Sequence, residues 1–409
     1  MKKIVITGMG AVTPIGIGVD EYWKNLIAGK SGIDRIKSFD PSELAVQFAG
    51  EIKNFDPTDY LEKDMVRKTD PFMQYAYIAA KEALTQSGLT IEPERTGIVM
   101  GTAMAGVSAT AYTQEELTAA HKKVGPRFIP KILGNIAAAN IAIDYDIQGP
   151  SFTVSTACSS GGDAIYIAST YIQAGKADVM LAIGAESVLC PLVIQSLANA
   201  KALSRRNDDP ATASRPFDIT RDGFVIGEGG GALVLETEEH AKARGAHIYG
   251  YIAGCGNTCD AHHVTAPHPE GRGAKACIRQ AIAEAGIRPS DIGYINAHGT
   301  ATHKGDAVET AAIKEIFEGA LPYVSSTKGA TGHMMGAGGI TETITCLKAV
   351  ETGIIPPTIN LNEVDPECAG IDFVPNTAKK ADIKFAMSNA FGFGGQNSSI
   401  IVSAYRPEV

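Results

Sequence analysis

Short apolar runs alternate along this chain with longer stretches in which apolar positions recur every third or fourth residue. Runs at 3–7, 97–101, 152–155, 179–184, 232–236, 249–254, 294–297 and 385–388 read as strands. Stretches at 70–86, 161–174, 272–285, 306–317 and 338–351 read as helices. The alternation predicts an α/β architecture. Glycines cluster just after the strands, where they permit sharp turns and close backbone approach.

The pattern also repeats itself. IVITGMGAV near the start is echoed by IYGYIAGCGN near residue 248, and RTGIVMGTA by DIGYINAHGT. VSTACSSGGDAI finds a counterpart in VSSTKGATGHMMGAGGI, and DVMLAIGAES in IKFAMSNAFGFGG. Matches in the same order predict two similar α/β halves packed together, over 1–240 and 241–409. Such halves would bring the four pairs of strand ends to a shared face. The polar stretch EEHAKARGAH, 238–247, reads as the connection.

Composition narrows the class. With 44% hydrophobic and 20% charged residues among 409, the chain is globular in type and long enough for a large core. Gly8, Gly10 and Pro14 interrupt the first apolar run, so it reads as a strand and not a signal peptide. No uninterrupted apolar run of about 18 residues is present, so no membrane span is predicted. Seven cysteines without CxxC pairs suggest a reduced, cytoplasmic chain. The net charge of −9 argues against a nucleic-acid partner. Arg67, Lys68, Arg127, Lys131, Arg205 and Arg206 are candidates for a local basic patch, or for ordinary solvated charge.

Cys158 is the position richest in chemistry. In FTVSTACSSGGDAI a strand ends, a small-residue turn follows and a helix begins. A thiol there faces unpaired N–H groups and the positive end of the helix dipole, and both favour thiolate. The alternative is an inert buried thiol, the reading kept for Cys190, Cys255, Cys259, Cys277, Cys346 and Cys368. His298 in INAHGTATHKGD and His333 in STKGATGHMMGAGG also follow strands. One cysteine with two histidines suits acyl transfer, and two structurally satisfied histidines would also fit the pattern. Lys328 could supply charge or pair with a carboxylate such as Glu342. The FGFGG loop at 391–395 could offer backbone N–H groups to an oxyanion, or simply be a turn. CDAHH at 259–263 matches no usual zinc spacing, so no metal is predicted. A dinucleotide fingerprint is absent from GMGAVTPIG.

Together VITGMGAVTPIG, GPSFTVSTACSSG, SRPFDITRDGFVIGEGGGALVLE, NAHGTATHKGD, STKGATGHMMGAGG and SNAFGFGGQNSS resemble the β-ketoacyl-ACP synthase family of the thiolase superfamily, in its elongating KAS I/II branch. The resemblance runs nearly end to end. It implies a five-layered αβαβα fold and a homodimer. It implies a 3-oxoacyl-ACP synthase, in which Cys158 accepts an acyl group and malonyl-ACP then condenses with it after losing carbon dioxide. By resemblance His298 and His333 complete the catalytic set, Lys328 organises them with Glu342, and Asp306 gives structural support. Backbone N–H groups of Cys158 and Phe393 match the oxyanion hole. Thr300 and Thr302 match pantetheine contacts, Phe391 belongs to the same substrate-binding loop as the gate residue Phe393, and Met104 matches the floor of the acyl pocket. Arg67, Lys68, Arg127 and Arg206 fall near carrier-protein docking positions. No cofactor is implied beyond the phosphopantetheine arm of the carrier.

Several features depart from the family pattern. Gln396 stands where Thr is usual, His262 where Tyr is common, and HKGD differs before Asp306. They leave room for a specialised polyketide or polyene pathway, with a cysteine-lacking homologue as the second subunit. A thiolase would carry a second cysteine in the C-terminal glycine loop, and FGFGGQN has none.

Overall fold

The computed structural model describes residues 2–405. In the first half the main strands are β1 (Ile4–Thr13), β2 (Thr96–Gly101), β3 (Ser151–Val154), β4 (Val179–Glu186) and β5 (Gly229–Thr237). In the second they are β6 (Gly250–Cys259), β7 (Ile292–Asn296), β8 (Tyr323–Ser325), β9 (Asp372–Phe373), β10 (Phe385–Phe391) and β11 (Gln396–Ala404). The helices that matter here are α1 (Pro71–Ser87), α2 (Asn135–Tyr145), α3 (Ser160–Gln173), α4 (Arg272–Ala285), α5 (His303–Ile316) and α6 (Gly338–Thr352).

The strands run β9-β8-β7-β10-β11-β6-β1-β5-β4-β2-β3. Counted within each half, the order is third, second, fourth, fifth, first in both, with the two-residue β9 added outside β8. The halves are joined where Ile4, Val5 and Ile6 of β1 pair antiparallel with Ile252, Tyr251 and Gly250 of β6. The echoes in the sequence thus correspond to a repeated topology.

Helices divide this sheet into layers. α1 covers β1, β5 and β4 on one outer side, while α4 covers β6 and β11 on the other. Between the half-sheets lie α3 and α6, which touch each other and strands of both halves. The result is the αβαβα arrangement of a thiolase fold. Among the described residues, no helix is long and apolar enough to cross a membrane.

β1 extends well past the predicted residue 7, to Thr13. The glycines that looked like strand breakers serve packing instead. A Cβ at Gly8 would sit 2.1 Å from the Ala83 carbonyl oxygen, and one at Gly10 would sit 1.9 Å from that of Ala79. Both therefore let α1 lie directly on β1. The same device operates in the central layer. A Cβ on Gly339 would fall 2.3 Å from the Gly162 nitrogen, and one on Gly161 would fall 2.7 Å from the Gly336 oxygen. The N-terminal ends of α3 and α6 consequently meet, and Cys158 and His333 lie just ahead of those two ends.

Candidate active site

The segment after β3 turns sharply before α3. Ala157 adopts φ 52°, the left-handed region that costs a non-glycine residue about 1 kcal/mol or more. Side chains hold the turn. Ser160 Oγ accepts the Thr156 N–H at 2.9 Å and donates to the Ala157 carbonyl at 2.7 Å. Thr156 Oγ1 donates to Asp163 at 2.5 Å, and Asn257 of β6 donates to the other Asp163 oxygen at 2.6 Å. Cys158 is presented from this turn, nearly enclosed at 8% exposure.

His333 Nε2 lies 2.9 Å from Cys158 Sγ. Its backbone is clamped to the 225–227 segment, donating to the Val225 carbonyl at 2.7 Å and accepting from the Gly227 N–H at 2.9 Å. His298 follows β7, and its ring centroid is 5.3 Å from that of His333, at 85°. Donor atoms of Cys158, His298 and His333 all lie within 4.8 Å of one another. Both Nδ1 atoms are buried without a hydrogen-bond partner among the described residues. Lys328 and Glu342 form a buried ion pair beside them.

Burial dominates the electrostatics. It pushes the Cys158 thiol up to about 11, opposed by the Phe393 backbone N–H and by the Lys328 charge. The helix terminus favours thiolate, and the removal of a buried anion from water opposes that field and outweighs it here. Burial, reinforced by Lys328, also holds both histidines well below the usual imidazole range. At neutral pH the set is a thiol and two uncharged imidazoles. The three side chains could ligate a soft metal ion only after the thiol lost its proton.

The FGFGG loop lies across the nucleophile turn. A Cβ on Gly392 would sit 2.7 Å from the Thr156 oxygen and 3.3 Å from the Cys158 nitrogen. Gly394 and Gly395 take φ of 89° and 78°. Phe393 at the tip is 41% exposed, whereas Phe391 packs 5.9 Å from the His298 ring. The loop is fastened to the 260–268 segment: the Gly394 N–H donates to the Val264 carbonyl at 2.7 Å and the Asp260 N–H to Gly395 at 2.8 Å. The side chain of Gln396, one of the departures, folds back under Gly394. Asp260 is buried as an acceptor for the His268 N–H and Asn397 amide, both at 2.9 Å. His263 Nδ1 accepts the N–H groups of Thr265 and Ala266 at 3.1 Å.

One cavity is lined by Cys158, His298, His333, Phe391 and Phe393, together with Thr300, Thr302 and Met104. The two threonine hydroxyls are 3.1 Å apart. Asp306 sits behind them, accepting the Ala301 N–H at 3.2 Å and the Phe217 N–H at 2.8 Å. It also faces fully buried Arg221 at 3.5 Å. The basic candidates are less uniform. Arg67 and Lys68 both pair with Asp64 on the short helix Lys63–Lys68. Arg206 donates to the Thr220 carbonyl at 2.6 Å and faces Asp222 at 3.7 Å. Arg127 is exposed at the start of the helix Phe128–Ile132.

Sequence reading missed two buried carboxylates. Glu309 of α5 accepts the His298 N–H at 2.9 Å and the Gly299 N–H at 2.8 Å, so it fixes the histidine turn. Glu186 at the end of β4 accepts four hydrogen bonds from two other turns around the cavity. The strand-end position of Glu186 was the available signal, since a charged residue closing a run as apolar as VMLAIGA has to find donors.

The beta-ketoacyl synthase N-terminal domain matches residues 1–241, and the beta-ketoacyl synthase C-terminal domain matches 249–362. The chain is 43% identical to 3-oxoacyl-[acyl-carrier-protein] synthase 2 of Coxiella burnetii, over 98% of both chains. It is 40% identical to the chloroplastic 3-oxoacyl-[acyl-carrier-protein] synthase I of Arabidopsis thaliana, covering 99% of this chain and 87% of the other. Among solved structures, the ishigamide ketosynthase/chain length factor superposes with a TM-score of 0.93 at 35% identity, covering 99% and 100% of the two chains. A type II polyketide ketosynthase, solved in complex with its acyl-carrier protein and bound to the hexaketide, gives 0.91 at 33%, with the same coverage.

Proposed function

The chain belongs to the β-ketoacyl synthase family, and from that premise we propose how its own residues carry out the condensation. It is a 3-oxoacyl-ACP synthase, an acyltransferase that lengthens a carrier-bound chain by two carbons. Cys158 attacks the acyl thioester carbonyl. Its proton passes through His333 Nε2 to the departing pantetheine sulfur, so neither charge persists in the buried site. The oxyanion is received by the N–H groups of Cys158 and Phe393. Malonyl-ACP then loses carbon dioxide, and the enolate oxygen accepts hydrogen bonds from the two neutral imidazoles as Nε2–H tautomers, His333 having exchanged its Nδ1 proton for one on Nε2 between the two steps. The carbanion attacks acyl-Cys158, the sulfur leaves as thiolate and takes up one proton from solvent, which balances the carboxylate charge lost with carbon dioxide, and 3-oxoacyl-ACP departs. The contact of His333 Nε2 with Sγ at 2.9 Å, with His298 alongside, is the observation that carries this assignment.

Lys328 and Glu342 act as a buried pair that keeps a cation near both imidazoles, which favours their neutral form. Thr300 and Thr302 border the path of the pantetheine arm, and Phe393 is the movable tip over it. No resident cofactor enters the scheme. The partner is an acyl carrier protein, an acidic class of protein suited to Arg67, Lys68, Arg127 and Arg206. The odd number of cysteines fits a reducing, cytoplasmic compartment.

Two subunits complete the molecule in this reading. Among the described residues β3 is an edge strand, hydrogen-bonded on one side only, to β2. Beside it the 133–145 segment exposes Leu133 and Ile143, the latter 76% accessible. An unpaired edge next to exposed apolar side chains calls for a partner surface. A second copy fills it in a fatty-acid enzyme. A cysteine-lacking homologue fills it if the pathway is polyketide or polyene, a reading favoured by the likeness to the ketosynthase/chain length factor.

Cys158→Ala should abolish acyl transfer while malonyl-ACP decarboxylation continues. Intact-mass spectrometry of the protein with a panel of acyl-ACPs would show an acyl adduct on Cys158 that is discharged only by malonyl-ACP. Normal condensation by the variant would refute the assignment, and the panel would report which chains are used.

A further inference from the structure

The GTAMAG turn after β2 brings Met104 to the cavity. Thr102 Oγ1 caps it by accepting the Ala105 N–H at 3.1 Å, and Ala105 has a left-handed φ of 46°. The consecutive N–H groups of Ala103 and Met104 point to one acceptor, the Glu186 carboxylate, at 2.6 and 3.1 Å. Successive amides converging on an anion form a nest, which is rigid while the anion is present. Thr102 Oγ1 adds a third bond at 3.0 Å.

The fourth comes from the other half of the chain. The Gly336 N–H donates to Glu186 at 3.2 Å, and Gly336 follows Met335, which also lines the cavity and has φ 46°. A Cβ on Gly336 would sit 2.8 Å from a Glu186 oxygen and 2.8 Å from Thr102 Cα. Glu186 therefore ties the Met104 turn to the segment that begins at His333. It is fully buried, and among the described residues it has four donors and no ion pair. Burial raises its carboxyl, and the Ala103, Met104, Thr102 and Gly336 donors oppose that rise. A lone buried carboxylate held only by neutral donors is poor economy for stability alone.

We propose that Glu186 is a positioning residue that fixes Met104 relative to the nucleophile and so sets which acyl chains the site accepts. This rests on the reading of Met104 as the floor of the acyl pocket. Glu186 touches neither substrate nor reacting atoms. In Glu186→Gln an amide N–H would face the N–H groups that now point at an oxygen, so the turn loosens while side-chain volume is kept.

The test measures kcat/KM for acyl-ACPs of graded length, and malonyl-ACP decarboxylation, in Glu186→Gln, Thr102→Val and Met104→Ala. Thr102→Val removes one donor at nearly constant volume and carries the test if Glu186→Gln does not fold. The expected result is a change of roughly tenfold in the ratio of long-chain to short-chain turnover in all three variants. Decarboxylation, which needs no acyl pocket, falls by a smaller factor. A shifted ratio in Met104→Ala with none in the other two would overturn the proposal. Equal losses at every chain length would do the same, since a purely structural role predicts them. An unchanged ratio in Met104→Ala would instead remove the pocket reading on which the proposal stands.

Discussion

A thiol near 11 in contact with an imidazole that resists protonation is an uncharged pair at neutral pH. In the proposed mechanism this keeps Cys158 dormant until a thioester carbonyl reaches the oxyanion donors. Because the thiol is shifted upward, its thiolate fraction keeps growing with pH well beyond the ordinary cysteine range. Iodoacetamide labelling of Cys158, followed by peptide mass spectrometry, should accelerate by about tenfold per pH unit from pH 7 to 10. A plateau below pH 8 would contradict the burial argument. At this scale the grouping of Cys158, His298 and His333 was legible because each sits in a turn that follows a strand. Glu309 was not, because a lone acidic residue carries no sign of the backbone amides it will accept from distant segments, and Glu186 left only its place at the end of an apolar strand as a hint.

At the scale of elements, glycine decides how closely layers approach. Gly10→Ala would drive a methyl group into the Ala79 carbonyl at 1.9 Å, a backbone atom that cannot swing aside. It should lower stability by about 1–3 kcal/mol. Gly125→Ala is the control, since nothing lies within 4 Å of its Cβ position. Thermal or denaturant unfolding should separate the two, and equal midpoints would refute the packing role. The same residues explain where prediction stopped short. Gly8 and Gly10 looked like punctuation after β1's first residues, yet pairing continues through them because α1 needs the space. β11 escaped notice because it begins with polar QNSS, of which Asn397, Ser398 and Ser399 are buried, Ser399 bonding to Asn389 at 2.8 Å. β8, only three residues long, was legible only as the strand ahead of the His333 turn, through its likeness to β3. The five helices read from the sequence match nearly to their ends, since apolar recurrence over several turns leaves little ambiguity, whereas Val107–Ala119 was not among them.

At the scale of the molecule, the exposed edge of β3 and its apolar neighbours predict association. The protein should sediment at about twice its 42.9 kDa mass alone, or pair only with a homologue when the two are produced together. Leu133→Lys should shift the equilibrium toward monomer, read by analytical ultracentrifugation. An unchanged dimer would place the interface elsewhere. The duplicated order of strands was foreshadowed by the echoing segments, but the pairing of β1 with β6 was not, because three hydrogen-bonded positions between remote strands leave no mark on either.

The sharing of the central layer by both halves has a kinetic corollary. The nucleophile belongs to one polypeptide segment and both imidazoles to another, and the short helix Glu238–Ala243 with the residues after it connects them. Two fragments made by interrupting the chain after that helix would each own a sheet, and neither would own a reaction. Activity would then depend on their encounter. At limiting concentrations it should rise with the product of the two fragment concentrations, and dilution should extinguish it, while the uncut chain stays first-order. Turnover by either fragment alone would show that the catalytic set is not divided in this way.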